Sequence, residues 1–410
     1  MIKKIPLTEF IILMALLMSL PALAIDSVLP AFPMMIDSLK VSADNQIQFV
    51  ISILFLGLIL GQLLFGPISD SFGRKTGILI GLLIFIFGSI LSLVAPNFEV
   101  MLLGRFLQGV GAAASRVICV AIARDLYHGR DMARIMSYIM AVFIFVPVIA
   151  PIIGQGVLLV SHWRTLFALY MLVAFISIYW MNKRLPETLT EENRKAFTFK
   201  VIKADIYAVL SNKITMGYTC CSGLVFGGFT GYLMSAQQIF QDFYNVGEMF
   251  SLYFAISALS IGVASWVNGK IVNHVGMRRI CHYALIGIMV TSTAFLMIFD
   301  LHDPQTPLLA YMIFAAIIFF CNGMLFGNLN SLAMEPMGKQ AGTASAISGS
   351  LATAIAVAAG TIIGQSYAHA LTPLVYGFLG MAILTFILHL FLDKAMRRIE
   401  ASISTLEAQY

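Results

Sequence analysis

The sequence predicts an all-α polytopic membrane protein whose twelve transmembrane helices form two six-helix halves. Three observations carry that prediction. First, 60% of the 410 residues are hydrophobic and only 11% are charged, against about 25% charged in soluble domains. A larger soluble core does not explain the difference, because single cores stop growing near ~250–300 residues. The apolar runs instead have the ~20-residue length that crosses a bilayer. Second, the basic residues alternate sides. With the N-terminus inside, 21 of the 25 Lys and Arg fall on cytoplasmic segments and two, Lys40 and Arg164, on outer ones; Arg105 and Arg116 lie within a span. Positive residues stay inside, which places both termini in the cytoplasm and makes the number of spans even. Third, the chain matches itself at an offset of 203 residues: Gly66 meets Gly269, Gly73 meets Gly276, Lys75 meets Arg278 and Asp70 meets Asn273. Both loops join the second and third spans of their half, which points to a six-plus-six repeat.

The spans read, in order, as roughly 8–37, 46–66, 77–95, 99–123, 135–159, 164–183, 213–238, 248–268, 280–300, 307–330, 342–366 and 370–392. The first imitates a secretory signal, with Lys3 and Lys4, an apolar stretch from Phe10 to Leu20, and Ala22-Leu23-Ala24 as a cleavage-like site. Its apolar character resumes through Met35 and Ile36, so it is expected to be a retained helix. Outer loops such as Pro96-Asn97-Phe98 and Ser161-His162-Trp163 are short. The one long connection is expected to be a cytoplasmic linker at 184–212, between an N-terminal half at 1–183 and a C-terminal half at 213–410 with a short cytoplasmic tail. Cys119, Cys220, Cys221, Cys281 and Cys321 fall in or beside apolar runs without metal-ligand spacing and read as inert thiols.

A charge at the bilayer centre costs about 2.5–3.5 kcal/mol on insertion scales, and three ionisable residues within spans stand out as candidates. Asp26 lies in Ile25-Asp26-Ser27-Val28-Leu29-Pro30. If that helix ends at Leu29, Asp26 is a solvated helix-end residue. If it runs on to Ile36 it is ~45 Å long, kinked at Pro30 and Pro33, and Asp26 stands somewhat outside its midpoint. The continuing apolar pattern favours the longer helix, and a carboxyl in a partly dry cavity can take up and release a proton near working pH. Arg105 follows Gly104 in the fourth span; it reads either as a partner for a carboxylate or as a structural cation satisfying backbone carbonyls. Arg116 lies eleven residues on, close to the same face. It either faces a cavity, where it would favour anionic or strongly dipolar substrates or pair with Asp26, or snorkels toward the cytoplasm. Asn322 and Asn330 in the tenth span are candidates to face substrate.

The stretch Gly61–Lys75, GQLLFGPISDSFGRK, is a short polar loop between two apolar helices. It resembles the signature loop of the major facilitator superfamily at Gly66, Pro67, Asp70, Gly73, Arg74 and Lys75. Leu102–Gly109 resembles that superfamily's arginine motif of the fourth span, implicated in proton transfer, which would include Arg105. Pro147-Val148-Ile149-Ala150-Pro151-Ile152-Ile153-Gly154 resembles the antiporter motif of proton-driven exporters, although Gln155 stands where a small residue or leucine is more usual. Further segments point to the bicyclomycin/chloramphenicol-resistance group of drug:proton antiporters: Leu29-Pro30-Ala31-Phe32-Pro33 after Asp26, Ala123-Arg124-Asp125-Leu126-Tyr127, His162–Phe167, Leu185-Pro186-Glu187-Thr188-Leu189, and Ala341–Ser345. One departure is that Val120 stands where the group often carries an arginine, with Arg116 one turn earlier.

The resemblance implies alternating access around a midplane site. Asp26, Arg105 and Arg116 would be the proton-coupling residues. Gly66, Asp70, Gly73, Arg74 and Lys75 would be a cytoplasmic gate, and Pro147, Pro151 and Gly154 a leak-preventing interface. It implies a monomer in the bacterial inner membrane that is not an enzyme and moves a small molecule and protons, with lipid as its surroundings and no cofactor, metal or nucleic acid. No GxxxxGK[ST] pattern points to ATP. The function so implied is proton-driven efflux of hydrophobic drugs. The alternatives are a dedicated exporter of one metabolite, such as a siderophore, and a proton-coupled uptake symporter.

Overall fold

The computed structural model describes residues 5–127, 129–194, 199–301 and 306–407; Lys3 and Lys4 lie outside them. α1 (Leu7–Asp26) and α2 (Phe32–Leu39) form one span, joined by a 3-10 turn over Leu29–Ala31. Pro30 and Pro33 start the turn and α2, respectively. Proline fits a first helical turn but cannot continue a helix already under way, so the axis breaks there without the span ending. The longer first helix expected from the sequence is therefore present, as Leu7–Leu39.

The next spans are α3 (Phe49–Phe72), α4 (Arg74–Leu93) and α5 (Phe98–Leu126). The fifth is split into α6 (Gly129–Ile144) and α7 (Val146–Val160) by a turn at Phe145, two residues before Pro147. α8 (Arg164–Arg184) completes the first six, and α9 (Phe199–Ser211) lies in the linker. The second six are α10 (Lys213–Gln237), α11 (Phe250–Val275), α12 (Met277–Ile298), α13 (Leu308–Met334), α14 (Ala341–Gln365) and α15 (Thr372–Glu407). Among the described residues, ten helical stretches are long and apolar enough to cross a membrane. The remaining two are the split fifth and α10, whose 25 residues include Thr215, Thr219, Ser222, Thr230 and Ser235. Twelve spans result, as predicted.

The described helices fall into two compact units. The first holds the chain up to Ile202 together with Leu233–Leu259; the second holds Lys203–Tyr232 and the chain from Ser260 on. Residues 233–259, which the sequence reading assigned to the second half, thus pack with the first, and hydrogen bonds show why. Gln48 Nε2 donates to Gln238 Oε1 (2.6 Å) and Gln238 Nε2 to Asn45 Oδ1 (2.8 Å). Ser251 Oγ donates to the Pro151 carbonyl (2.9 Å). Within the first unit α5 is the central helix. It packs on α3 and α4, and every residue from Gln108 to Ser115 is buried. In the second unit α12 packs on α13 and α15, with Phe295 stacked on Phe314 at 4.6 Å between ring centroids.

The internal repeat is visible in backbone conformation. Gly73 caps α4 at φ 101°, ψ 155°, and Gly276 caps α12 at φ 88°, ψ 143°. Both lie in a region of positive φ and extended ψ that is essentially closed to residues with a Cβ. The turn from second to third span therefore demands glycine in both halves.

Candidate functional site

Asp26 ends α1 and is only 4% exposed. Its carboxyl makes no hydrogen bond or ion pair among the described residues. The next residue is tied down firmly. Ser27 Oγ shares a 2.6 Å hydrogen bond with the Tyr170 hydroxyl of α8 and also lies 2.6 Å from the Leu23 carbonyl. The backbone here is pressed by α7: a Cβ on Gly154 would stand 2.1 Å from the Ser27 carbonyl oxygen. The antiporter-motif glycine is thus the residue that lets the fifth span touch the chain directly after Asp26. Of the two prolines, Pro147 stands in the first turn of α7 and Pro151 within the helix. An internal proline removes one helix hydrogen bond, and the Pro151 carbonyl accepts from Ser251.

Arg105 is fully buried. Its Nε donates to the Val50 carbonyl (3.0 Å), Nη2 to the Ala24 carbonyl (2.9 Å) and Nη1 to Gln108 Oε1 (2.9 Å). Gln108 Nε2 passes the chain on to Ser89 Oγ (2.8 Å). One guanidinium so braces the first, second and fourth spans, with the third joined through Ser89, and lies 6.0 Å from the Phe167 ring centre. Of the two roles the sequence left open, these bonds supply the structural one; they reach the backbone two residues before Asp26, not its carboxyl.

At the basic end of α3 and α4 the structure joins three separate sequence motifs. Arg74, 4% exposed, donates from Nε to Asp125 Oδ2 (2.8 Å), and from Nη1 to Ser69 Oγ (2.9 Å) and to Asp70. The backbone N–H groups of Arg74 and Lys75 donate to the two oxygens of Glu187 at 2.9 and 3.1 Å. A carboxylate there meets the free N–H groups and positive dipole end of α4. Glu187 Oε1 also accepts from Thr188 and Leu189, and Thr188 Oγ1 donates to Asp125 (3.2 Å). Lys75 Nζ reaches the Asn182 carbonyl at 3.4 Å. Gly66 is open, with nothing within 4 Å of a Cβ. The sequence reading put Asp125 and Glu187 in resemblance segments without giving either a partner; this network supplies one.

The other candidates are separate from these clusters. Arg116 is exposed on α5 and unpaired among the described residues, so no pair with Asp26 forms. Asn330 is exposed on α13, while Asn322 is buried with its Nδ2 unpaired among the described residues. Asn328 is a structural link, donating to Asn268 Oδ1 at 2.7 Å.

Twelve spans in two related sets, with polar side chains and broken helices at membrane depth, define a multi-pass transporter architecture. A family model described as Major Facilitator Superfamily matches residues 14–361, and the chain belongs to that superfamily. It is 32% identical over 343 residues to the MFS-type transporter YdgK of Bacillus subtilis (strain 168), covering 83% of this chain and 84% of the relative. It is 28% identical over 394 residues to a bicyclomycin resistance protein homolog of Haemophilus influenzae, covering 94% and 96%. Its relatives thus include proteins named for bicyclomycin and multidrug resistance. Among solved structures, the xylose transporter XylE of E. coli superposes with a TM-score of 0.70 at 13% identity, covering 95% of this chain and 97% of that one, a likeness of fold.

Proposed function

We propose that this chain exports hydrophobic, drug-like molecules in exchange for protons by alternating access, from a bacterial inner membrane with both termini in the cytoplasm. The observation that carries the reading is Asp26. A buried carboxylate with neither a donor nor a cation is costly at membrane depth, whereas the neutral acid is not, so a proton is the partner this residue lacks. Its neighbours support the reading. Gly154 of the motif seats α7 against Ser27, and Arg105 holds the Ala24 carbonyl and Tyr170 the Ser27 hydroxyl on either side. Relatives named for drug resistance support this substrate class.

In this reading a proton entering on Asp26 favours one facing state, and substrate binding favours its release. Entry down the membrane potential supplies about 2.3 kcal/mol per 100 mV. The Asp70–Lys75 helix junction, held in shape by Asp125 and Glu187, acts as the cytoplasmic gate. The test uses everted vesicles with an acidic interior, a panel of chloramphenicol-like and other apolar antibiotics, and internal pH as readout. Compounds are expected to make the interior less acid with the natural chain and not with Asp26→Asn. Proton movement that persists in Asp26→Asn removes Asp26 from the mechanism; a panel that moves no protons removes the drug-exporter reading.

A further inference from the structure

Arg116 is the cation that the mechanism above does not use. α5 spans Phe98–Leu126. Arg116 lies four residues, ~6 Å, beyond its midpoint and ten residues, ~15 Å, short of its end at ~1.5 Å per residue. With the ~30 Å hydrocarbon core centred on the helix, its Cα lies ~9 Å inside the basic boundary, at depth rather than at the interface. The residues around it, Gly111–Ser115 and Ile118–Cys119, are buried, whereas Arg116 is exposed. One turn on Val120 is exposed, and after another turn Arg124. A spacing of four puts all three on one stripe of the helix.

Among the described residues, the other membrane-embedded or half-buried arginines are satisfied. Arg74, Arg105, Arg164 and Arg278 each donate to a carboxylate, an amide or a backbone carbonyl. Arg116 and Arg124 make no hydrogen bond or ion pair among the described residues. A bare guanidinium at this depth is unfavourable against lipid, so the stripe faces a water-accessible volume. No carboxylate among the described residues neutralises it there, Asp26 included.

We infer that Arg116 binds the acidic group of an amphipathic substrate, so that the molecules this transporter handles best carry a carboxylate on an apolar body. The inference rests on the exporter reading. The planar fork of a guanidinium matches a carboxylate with two parallel bonds. Arg124 draws the anion in at the end of the helix, and Val120 between the two cations offers the apolar body a dry contact. An anionic lipid headgroup shares this chemistry, and lipid composition separates the two sources.

The experiment measures equilibrium binding to the full chain in nanodiscs of zwitterionic lipid alone. The probes are nalidixic acid, the two naphthoic acids and their methyl esters, which keep the shape and lose the charge. The acids are expected to bind more tightly than their esters. Arg116→Gln should weaken the acids about tenfold or more, and Arg116→Lys, which keeps the charge without the fork, should weaken them less. Ester binding to Arg116→Gln equal to that of the natural chain shows that the variant is folded. The inference is overturned if no acid binds, if acid and ester lose affinity equally, or if acids bind only until anionic lipid is added and Arg116→Gln makes no difference. Binding needs no proton movement, so Arg116-dependent acid binding without flux would fail the exporter reading alone. Drug-driven flux indifferent to Arg116→Gln and to substrate charge would fail this inference alone.

Discussion

Arg74 Nε donates to Asp125 Oδ2 across 2.8 Å, joining the first residue of α4 to the last turn of α5. The guanidinium is buried and also holds Ser69 and Asp70. Asp125→Asn keeps the shape and removes the charge. Hydrogen bonds to charged groups contribute about 1.5–3 kcal/mol and neutral ones about 0.5–1.5, so this variant, which keeps an acceptor oxygen, should lose about 1–1.5 kcal/mol of stability in thermal unfolding of the purified protein. An unchanged midpoint would mean that Asp70 alone holds Arg74.

The two motif glycines should behave oppositely. Gly73 has φ 101°, and a Cβ on it would stand 2.6 Å from Glu187 Oε2. Gly73→Ala is expected to cost about 1–3 kcal/mol from the backbone alone and to push Glu187 off the start of α4. Gly66 lies inside α3 with nothing within 4 Å of a Cβ. Gly66→Ala should stabilise by about 0.5–1 kcal/mol through helix propensity. Unfolding midpoints of the two variants, measured side by side, check this; equal losses would contradict it.

Gly154→Ala tests whether α7 sets the position of Asp26. The added methyl meets the Ser27 carbonyl at 2.1 Å, and the atoms it meets are backbone. Such overpacking costs about 1–3 kcal/mol, and here the strain falls on the residue after Asp26. The expected outcome is a folded protein with impaired drug-driven proton flux in everted vesicles, and Gly154→Leu more impaired than Gly154→Ala. Gly156→Ala, where a Cβ meets nothing within 4 Å, should retain the flux.

Much of this was legible in the sequence because it is written in local pattern. Apolar length marked the spans, Pro30 and Pro33 the break at Leu29–Ala31, and the glycines paired at 73 and 276 the internal repeat. The partners were not legible. Glu187 lies 113 residues from Arg74 and Asp125 lies 51 away, and nothing local in either segment says that they converge. Arg105 was ambiguous because its partners at Val50 and Ala24 are backbone carbonyls, which every residue carries. The attachment of 233–259 to the first unit was hidden for a similar reason: glutamines near a helix end read as solvated until the structure shows Gln48 and Gln238 both buried.

That glutamine pair yields the last prediction. Gln48 Nε2 donates to Gln238 Oε1 at 2.6 Å, and Gln238 turns its own amide to Asn45. Removing one member leaves a buried amide short of a partner, which costs about 1–3 kcal/mol, whereas replacing both with apolar groups of similar shape is nearly neutral. Gln48→Leu and Gln238→Leu should therefore each destabilise, and the double variant should recover most of the loss, giving a coupling energy of about 0.5–3 kcal/mol in a double-mutant cycle. Transport is expected to separate from stability. If residues 233–259 must leave the first unit during each cycle, an apolar pair that cannot exchange its partner for water will hold them closed. The double variant should then unfold near the natural midpoint yet turn over more slowly in vesicle flux. Natural flux in the stable double variant would show that this contact stays shut throughout the cycle, and opening would have to occur elsewhere along α10 and α11.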